Sequence, residues 1–94
     1  MHVVMIGAGY VGLVSGSCFA EFGHHVTCLD KAEERIEALK AGEIPIFEPG
    51  LDELVARNVD AGRLNFSTKS NGAIENADLV FIAVGTPTRR GDGH

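Results

Sequence analysis

Apolar and polar positions fall into alternating blocks along the 94-residue chain, and each block predicts an element. Val3-Val4-Met5-Ile6 is apolar at every position, as expected of a short parallel strand buried on both faces. Gly7 to Gly9 predicts a tight turn. Val11, Val14, Cys18 and Phe22 then recur at spacings of three or four. They predict a helix over 11–22 with these residues inward and Gly23 as its stop. HVTCLD (25–30) predicts a second strand, and KAEERIEALK (31–40) a second helix with Ile36 and Leu39 inward, ended by Gly42. Pro45 and Pro49 forbid a helix through 44–49, so a loop leads into a third helix. Pro49 suits that helix's first turn, and Leu51, Leu54, Val55 and Val59 its buried stripe. RLNFS (63–67) predicts a third strand and 71–76 a short helical turn. DLVFIAV (78–84) is the strongest strand pattern, apolar on both faces, and it ends at Gly85-Thr86-Pro87.

Strands alternating with helices over short connections predict an α/β fold: a Rossmann-type doubly wound parallel sheet with right-handed crossovers and helices on both faces. The first strand is expected at the centre, with the strand ending at Asp30 on one side and the strand beginning at Asp78 on the other. The latter is then an apolar edge, open to pairing with another copy of the chain, so self-association through it is expected.

Composition narrows the function. The balance of 45% hydrophobic and 22% charged residues is that of a soluble globular domain. A formal net charge of −5 argues against a nucleic-acid binder or a surface that adheres to acidic membranes. No apolar run approaches the roughly 18 to 20 residues that span a bilayer, and residues 3–6 are too short for a signal-peptide core. A cytoplasmic location is therefore expected. Cys18 and Cys28 sit inside apolar patterns and are expected as small buried hydrophobes. No spacing of His, Cys, Asp or Glu suits a metal, and His24 and His25 adjoin a helix end as solvated imidazoles.

The glycines carry the candidate chemistry. In a dinucleotide site Gly7 permits the tight turn, Gly9 lets the backbone approach a pyrophosphate, and Gly12 allows the helix to pack closely on the strand. Free N–H groups at the helix start then face the pyrophosphate. A glycine-rich turn with no ligand is the alternative, but the strand–turn–helix setting favours the dinucleotide. Asp30 lies at the end of the second strand, 18 residues after Gly12. Its carboxylate can accept ribose hydroxyls and repels a 2′-phosphate, which favours NAD over NADP, although Lys31 and Arg35 add nearby cations. Gly16, mid-helix at a cost of about 1 kcal/mol against alanine, predicts a close helix–strand contact.

Taken in order, GYVG, SGSCFAEFGHHVTCLD, GEIPIFEPGLDELV, AGRLNFST and FIAVGTPT resemble the start of the UDP-glucose/GDP-mannose dehydrogenase family, its UDP-glucose branch best. The resemblance implies that residues 1–94 are the N-terminal portion of an NAD-binding domain, with a central dimer-forming helix and a C-terminal UDP-sugar domain outside this chain. It implies oxidation of UDP-glucose to UDP-glucuronate with two NAD, a cysteine thiolate trapping the aldehyde, and a parent enzyme that is a homodimer or larger. By position, Gly7, Gly9 and Gly12 would bind pyrophosphate and Val11 would add a backbone contact. Tyr10 would lie near the phosphates, or else serve packing. Asp30 would hold the adenosine ribose, Arg35 would contact the cofactor, and Thr86 would touch NAD beyond the last strand. The catalytic cysteine and its lysine, asparagine and aspartate are expected downstream, so no residue of this chain is assigned as catalytic. A GDP-mannose or UDP-N-acetylmannosamine dehydrogenase is the near alternative. A non-catalytic NAD-sensing module is the distant one, and it has no reason to carry EPGLDEL or VGTP.

Overall fold

The computed structural model describes residues 1–44, 48–70 and 72–83. In chain order the elements are β1 (His2–Ile6), α1 (Tyr10–Glu21), β2 (His25–Leu29), α2 (Glu33–Lys40), α3 (Leu51–Asp60), β3 (Leu64–Ser67) and β4 (Leu79–Ile82). The four strands form one parallel sheet in the order β3-β2-β1-β4. β1, apolar throughout, takes the central place expected of it, and the winding reverses there: the chain leaves β1 toward β2 and β3, then returns to lay β4 on the other flank. Turns join β3 to β4, and among the described residues no helix lies between them.

Register explains the core. Val26 pairs with Val3 on one side and Leu64 on the other, and Cys28 likewise with Met5 and Phe66, so these six share one face of the sheet. They form a single buried cluster with Leu13 and Ala20 of α1, Ile36 and Leu39 of α2, and Leu51 and Val55 of α3. All three helices therefore cover one face, not both as expected: each lies on a crossover running the same way across the sheet from β1 to β2 to β3, and among the described residues no helix follows the reversal to β4. Each large aliphatic side chain buried there contributes roughly 1.5–3 kcal/mol.

α1 presents a different face from the one its periodicity predicts. Its buried residues are Gly12, Leu13, Gly16, Ser17 and Ala20. Val11 is 59% exposed, Phe22 80%, and Cys18 is exposed as well. Val14 is only partly buried against the core. Close approach to the sheet selects small side chains: a Cβ on Gly16 would stand 3.0 Å from the Cys28 sulfur. Of the helix's larger apolar groups only Leu13 is fully buried. Of the two cysteines, only Cys28 is buried as expected.

α3 begins at Leu51, two residues beyond Pro49 rather than at it. Glu48, Pro49, Gly50 and Leu51 form a type II turn, with Gly50 at φ 84° and ψ −8° and the Leu51 N–H donating to the Glu48 carbonyl at 3.0 Å. Gly50 thus caps the helix in the left-handed region, where a side chain would be strained. The stripe also changes. Leu51 and Val55 are buried, Leu54 is half-buried and Val59 is exposed. Asn58 occupies the remaining inward position, fully buried. Its amide nitrogen donates to Glu21 Oε1 and to the Leu54 carbonyl, each at 2.9 Å, and its oxygen accepts from Arg63 at 3.0 Å. Arg63 also donates to the Ala20 carbonyl at 2.8 Å, so this knot ties the end of α1 to α3 and to the start of β3.

β4 is the edge of the described sheet, and all four of its residues are exposed. Phe81 stacks on Phe19 of α1 with ring centroids 5.2 Å apart, on the same side as the other core residues. Val84, expected as the end of this strand, lies outside the described residues.

Candidate cofactor-binding site

The site is built where β1 and β2 end. The strands hand over to turns on the same side of the sheet, at the point where the winding reverses, which is where open α/β sheets leave a crevice for ligands. Gly7 leaves β1 at φ 112°, a conformation that favours glycine, and its N–H donates to the Leu29 carbonyl at 2.6 Å. This locks the turn against β2.

Gly9 and Gly12 are glycines for different reasons. A Cβ on Gly12 would overlap the Gly7 carbonyl oxygen, so the crossing of α1 over the turn requires glycine there. Gly9 has an ordinary φ of −76°, and a Cβ on it would meet nothing within 4 Å. Among the described residues beyond its chain neighbours, nothing forbids a side chain at Gly9. It caps α1, accepting the Leu13 N–H at 2.8 Å. Tyr10, Val11 and Gly12 bring N–H groups that a helix leaves unsatisfied in its first turn. Among the described residues no side chain caps the helix and no acidic residue occupies that turn, so its N–H groups and the positive end of its dipole are available to an anion.

Asp30 stands directly after β2 and organises the rest. Its Oδ2 accepts the Ala8 N–H at 2.8 Å and the Arg35 guanidinium at 2.9 Å, and its Oδ1 accepts the Ala32 N–H at 2.9 Å. Burial works to raise the Asp30 pKa, but the Ala32 and Ala8 amides and Arg35 together outweigh it and leave the carboxyl below its ordinary value. A charged carboxylate is thus held at the lip of a hollow of about 490 Å³. Ile6, Leu29 and Ile74 supply the hollow's apolar lining, with Lys31, Thr68 and Ser70 at its polar side. A larger hollow beside α2, about 800 Å³, is lined by Glu33, Glu34, Glu37 and Glu43, and its charge repels an anionic ligand.

The structure therefore gathers Gly7, Gly9, Tyr10, Val11, Gly12, Asp30 and Arg35 around one turn and its two flanking elements. Thr86 lies outside the described residues. Sequence reasoning missed Ile74 and the Thr68–Ser70 end of β3, although a position just past a strand's carboxyl end was an available signal. It also missed Glu48, whose Oε1 accepts the Tyr10 hydroxyl at 3.0 Å from 38 residues away; no local pattern announces that bond. Among the described residues no group of three or more His, Cys, Asp or Glu could hold a metal ion, and no helix is long and apolar enough to cross a membrane.

Comparison with known proteins agrees with this geometry. The chain is 68% identical over its whole length to a UDP-glucose 6-dehydrogenase of Rhizobium meliloti, of which it spans 22%. A ternary complex of GDP-mannose dehydrogenase from Pseudomonas aeruginosa superimposes with a TM-score of 0.88 at 37% identity, covering 96% of this chain and 21% of that one. A UDP-glucose dehydrogenase from Pyrobaculum islandicum does so with a TM-score of 0.84 at 42% identity, covering 92% and 20%. The chain thus spans about a fifth of the length of these relatives. The family model that matches, over residues 1–94, describes their shared cofactor module. With the glycine turn, the strand-end aspartate and the winding reversal all in place, the chain belongs to the UDP-glucose/GDP-mannose dehydrogenase family, whose NAD-binding domain it matches over residues 1–94.

Proposed function

We propose that this chain grips NAD by the glycine turn and Asp30, as the cofactor-holding part of an enzyme that oxidises UDP-glucose to UDP-glucuronate. The observation that carries the reading is the open space over Gly9. Gly7 and Gly12 are explained by the fold, whereas Gly9 is explained by a pyrophosphate that passes where a side chain would stand. The uncapped first turn of α1 supplies N–H donors for that pyrophosphate. The hollow between Ile6, Leu29 and Ile74 suits an adenine, and Asp30 at its lip suits the ribose. Thr86 is proposed as a further cofactor contact. Bound NAD supplies the hydride acceptor; the chain's own residues bind it, orient it and select against a 2′-phosphate.

Neither cysteine is suited to carry the chemistry. Cys28 is buried beneath α1 with its thiol pushed up to about 12 by desolvation. Cys18 is eight residues beyond Tyr10 on α1, about 12 Å along the helix from the turn. We therefore propose that the chain alone binds NAD and releases no NADH from UDP-glucose, and that the parent protein, a cytoplasmic homodimer or larger assembly, supplies the catalytic groups. The apolar edge and faces of β4 lead us to propose that the isolated chain self-associates; monomeric light scattering at high concentration would count against it.

Calorimetric titration with NAD and NADP tests the cofactor reading: NAD should bind at least tenfold more tightly, and equal affinities would overturn the role of Asp30. Assay of the longer parent with UDP-glucose and GDP-mannose tests the substrate. GDP-mannose is the second reading, favoured by the close superposition on a GDP-mannose dehydrogenase.

A further inference from the structure

Tyr10 and Glu48 meet across the mouth of the glycine turn, the phenol donating to Oε1 at 3.0 Å. Both ends of this bond are anchored. Tyr10 is the first residue of α1, and Glu48 opens the type II turn whose hydrogen bond to Leu51 fixes its backbone in front of α3. The Tyr10 side chain is 53% exposed, so packing alone does not hold the ring. Among the described residues, none beyond the chain neighbours of the adjacent Gly9 comes within 4 Å of where its Cβ would stand. The hydroxyl ties the ring, at the start of the helix whose N–H groups are assigned above to the pyrophosphate, to the residue that stands in front of α3.

We propose that Glu48 is a positioning residue for the dinucleotide: by holding the Tyr10 hydroxyl it fixes the ring in one place beside the glycine turn before the pyrophosphate arrives. This rests on the reading of the turn as an NAD site. Without a partner, an exposed tyrosine at a helix start redistributes among its rotamers, and the entropy of fixing the ring then falls on the binding step. With Glu48 in place that cost is met in the folded protein. The hydrogen bond and the negative charge of Glu48 also raise the ionisation of the phenol above its ordinary value, which gives the contact its own spectroscopic readout. Tyr10 is the only tyrosine and the chain has no tryptophan, so near-ultraviolet titration reports this phenol alone.

The test compares Glu48→Ala, Glu48→Gln, Tyr10→Phe and the Glu48→Ala/Tyr10→Phe double variant, each checked for folding by circular dichroism and titrated with NAD. Glu48→Ala and Tyr10→Phe should each weaken NAD roughly threefold to tenfold, the net worth of one hydrogen bond. The double variant should be no weaker than the worse single. Glu48→Gln, whose amide oxygen still accepts the phenol proton, should stay within about twofold of the parent. Without NAD, the Glu48→Ala phenol should ionise at lower pH than the unsubstituted one. An unshifted phenol, unchanged NAD affinity in Glu48→Ala, or additive losses in the double variant would each overturn the positioning role and leave the cofactor reading standing. A folded unsubstituted chain that takes up no NAD would overturn that reading, and this inference with it.

Discussion

Arg35 and the Ala8 amide converge on one oxygen of Asp30, reaching Oδ2 at 2.9 and 2.8 Å while the Ala32 amide takes Oδ1. A carboxylate offers about four acceptor positions, so three are filled before any ligand arrives. A ribose diol that claims two must displace the guanidinium, which is the exposed and movable partner, with 46% of its side-chain surface free. The displaced cation is then the group available to a 2′-phosphate. Arg35→Ala should therefore weaken NADP roughly tenfold, the scale of one charged hydrogen bond, and change NAD affinity much less. Parallel calorimetry of the two cofactors reads the ratio.

Asp30 also makes stability depend on pH. Its folded pKa lies below the unfolded value of about 4. The stabilisation is complete above that unfolded value and is lost as pH falls through the folded one. Asp30→Asn should flatten the acid limb of a stability-versus-pH curve and lower stability near neutrality. A series of urea melts between pH 2.5 and pH 7, roughly the span over which a carboxylate titrates, measures both effects.

Gly9 and Gly12 should separate binding from folding. Gly12→Ala forces a methyl group into the Gly7 carbonyl and should cost at least about 2 kcal/mol in urea unfolding. Gly9→Ala should unfold within about 0.5 kcal/mol of the parent yet lose NAD affinity.

The Asn58 knot should matter more than the apolar residue beside it. Asn58→Ala strands the groups of Glu21, Arg63 and Leu54 that it joins, and should destabilise by about 1–3 kcal/mol. Val59→Ala, at a position 38% exposed, should cost within about 0.5 kcal/mol. Equal effects would return Val59 to the buried stripe.

Thiol labelling checks the corrected face of α1. A maleimide should modify Cys18 in the folded chain and spare Cys28, whose thiol is buried and resists ionisation; denaturant should expose both to mass-spectrometric detection.

The sheet was legible because its strands are unambiguous: Val3 to Ile6 and Leu79 to Ile82 have no polar position to pull them to a surface, and the glycine turn fixes the handover to α1. The site's centre was legible for the same reason, since Gly7, Gly12 and Asp30 do local work that leaves a local trace. The face of α1 was not, because the periodic search weighs size. Apart from Leu13 the helix buries its small residues and exposes Val11 and Phe22; the usable signal was the spacing of Gly12, Gly16 and Ala20 by four. Asn58 was missed because its burial depends on Glu21 and Arg63, partners from other elements that no window over α3 contains. Glu48 was missed likewise, its partner lying at the start of α1.

The two reasons for glycine in one turn also set how the turn ages. Any descendant that keeps the fold must keep Gly12, whatever it comes to do, because the constraint is internal to the backbone. Gly9, on the reading proposed above, answers to a ligand. In a lineage that abandoned its dinucleotide, Gly9 would be free to drift toward alanine or serine while Gly12 stayed, and the first of these positions would record the loss of the cofactor before the architecture showed any change.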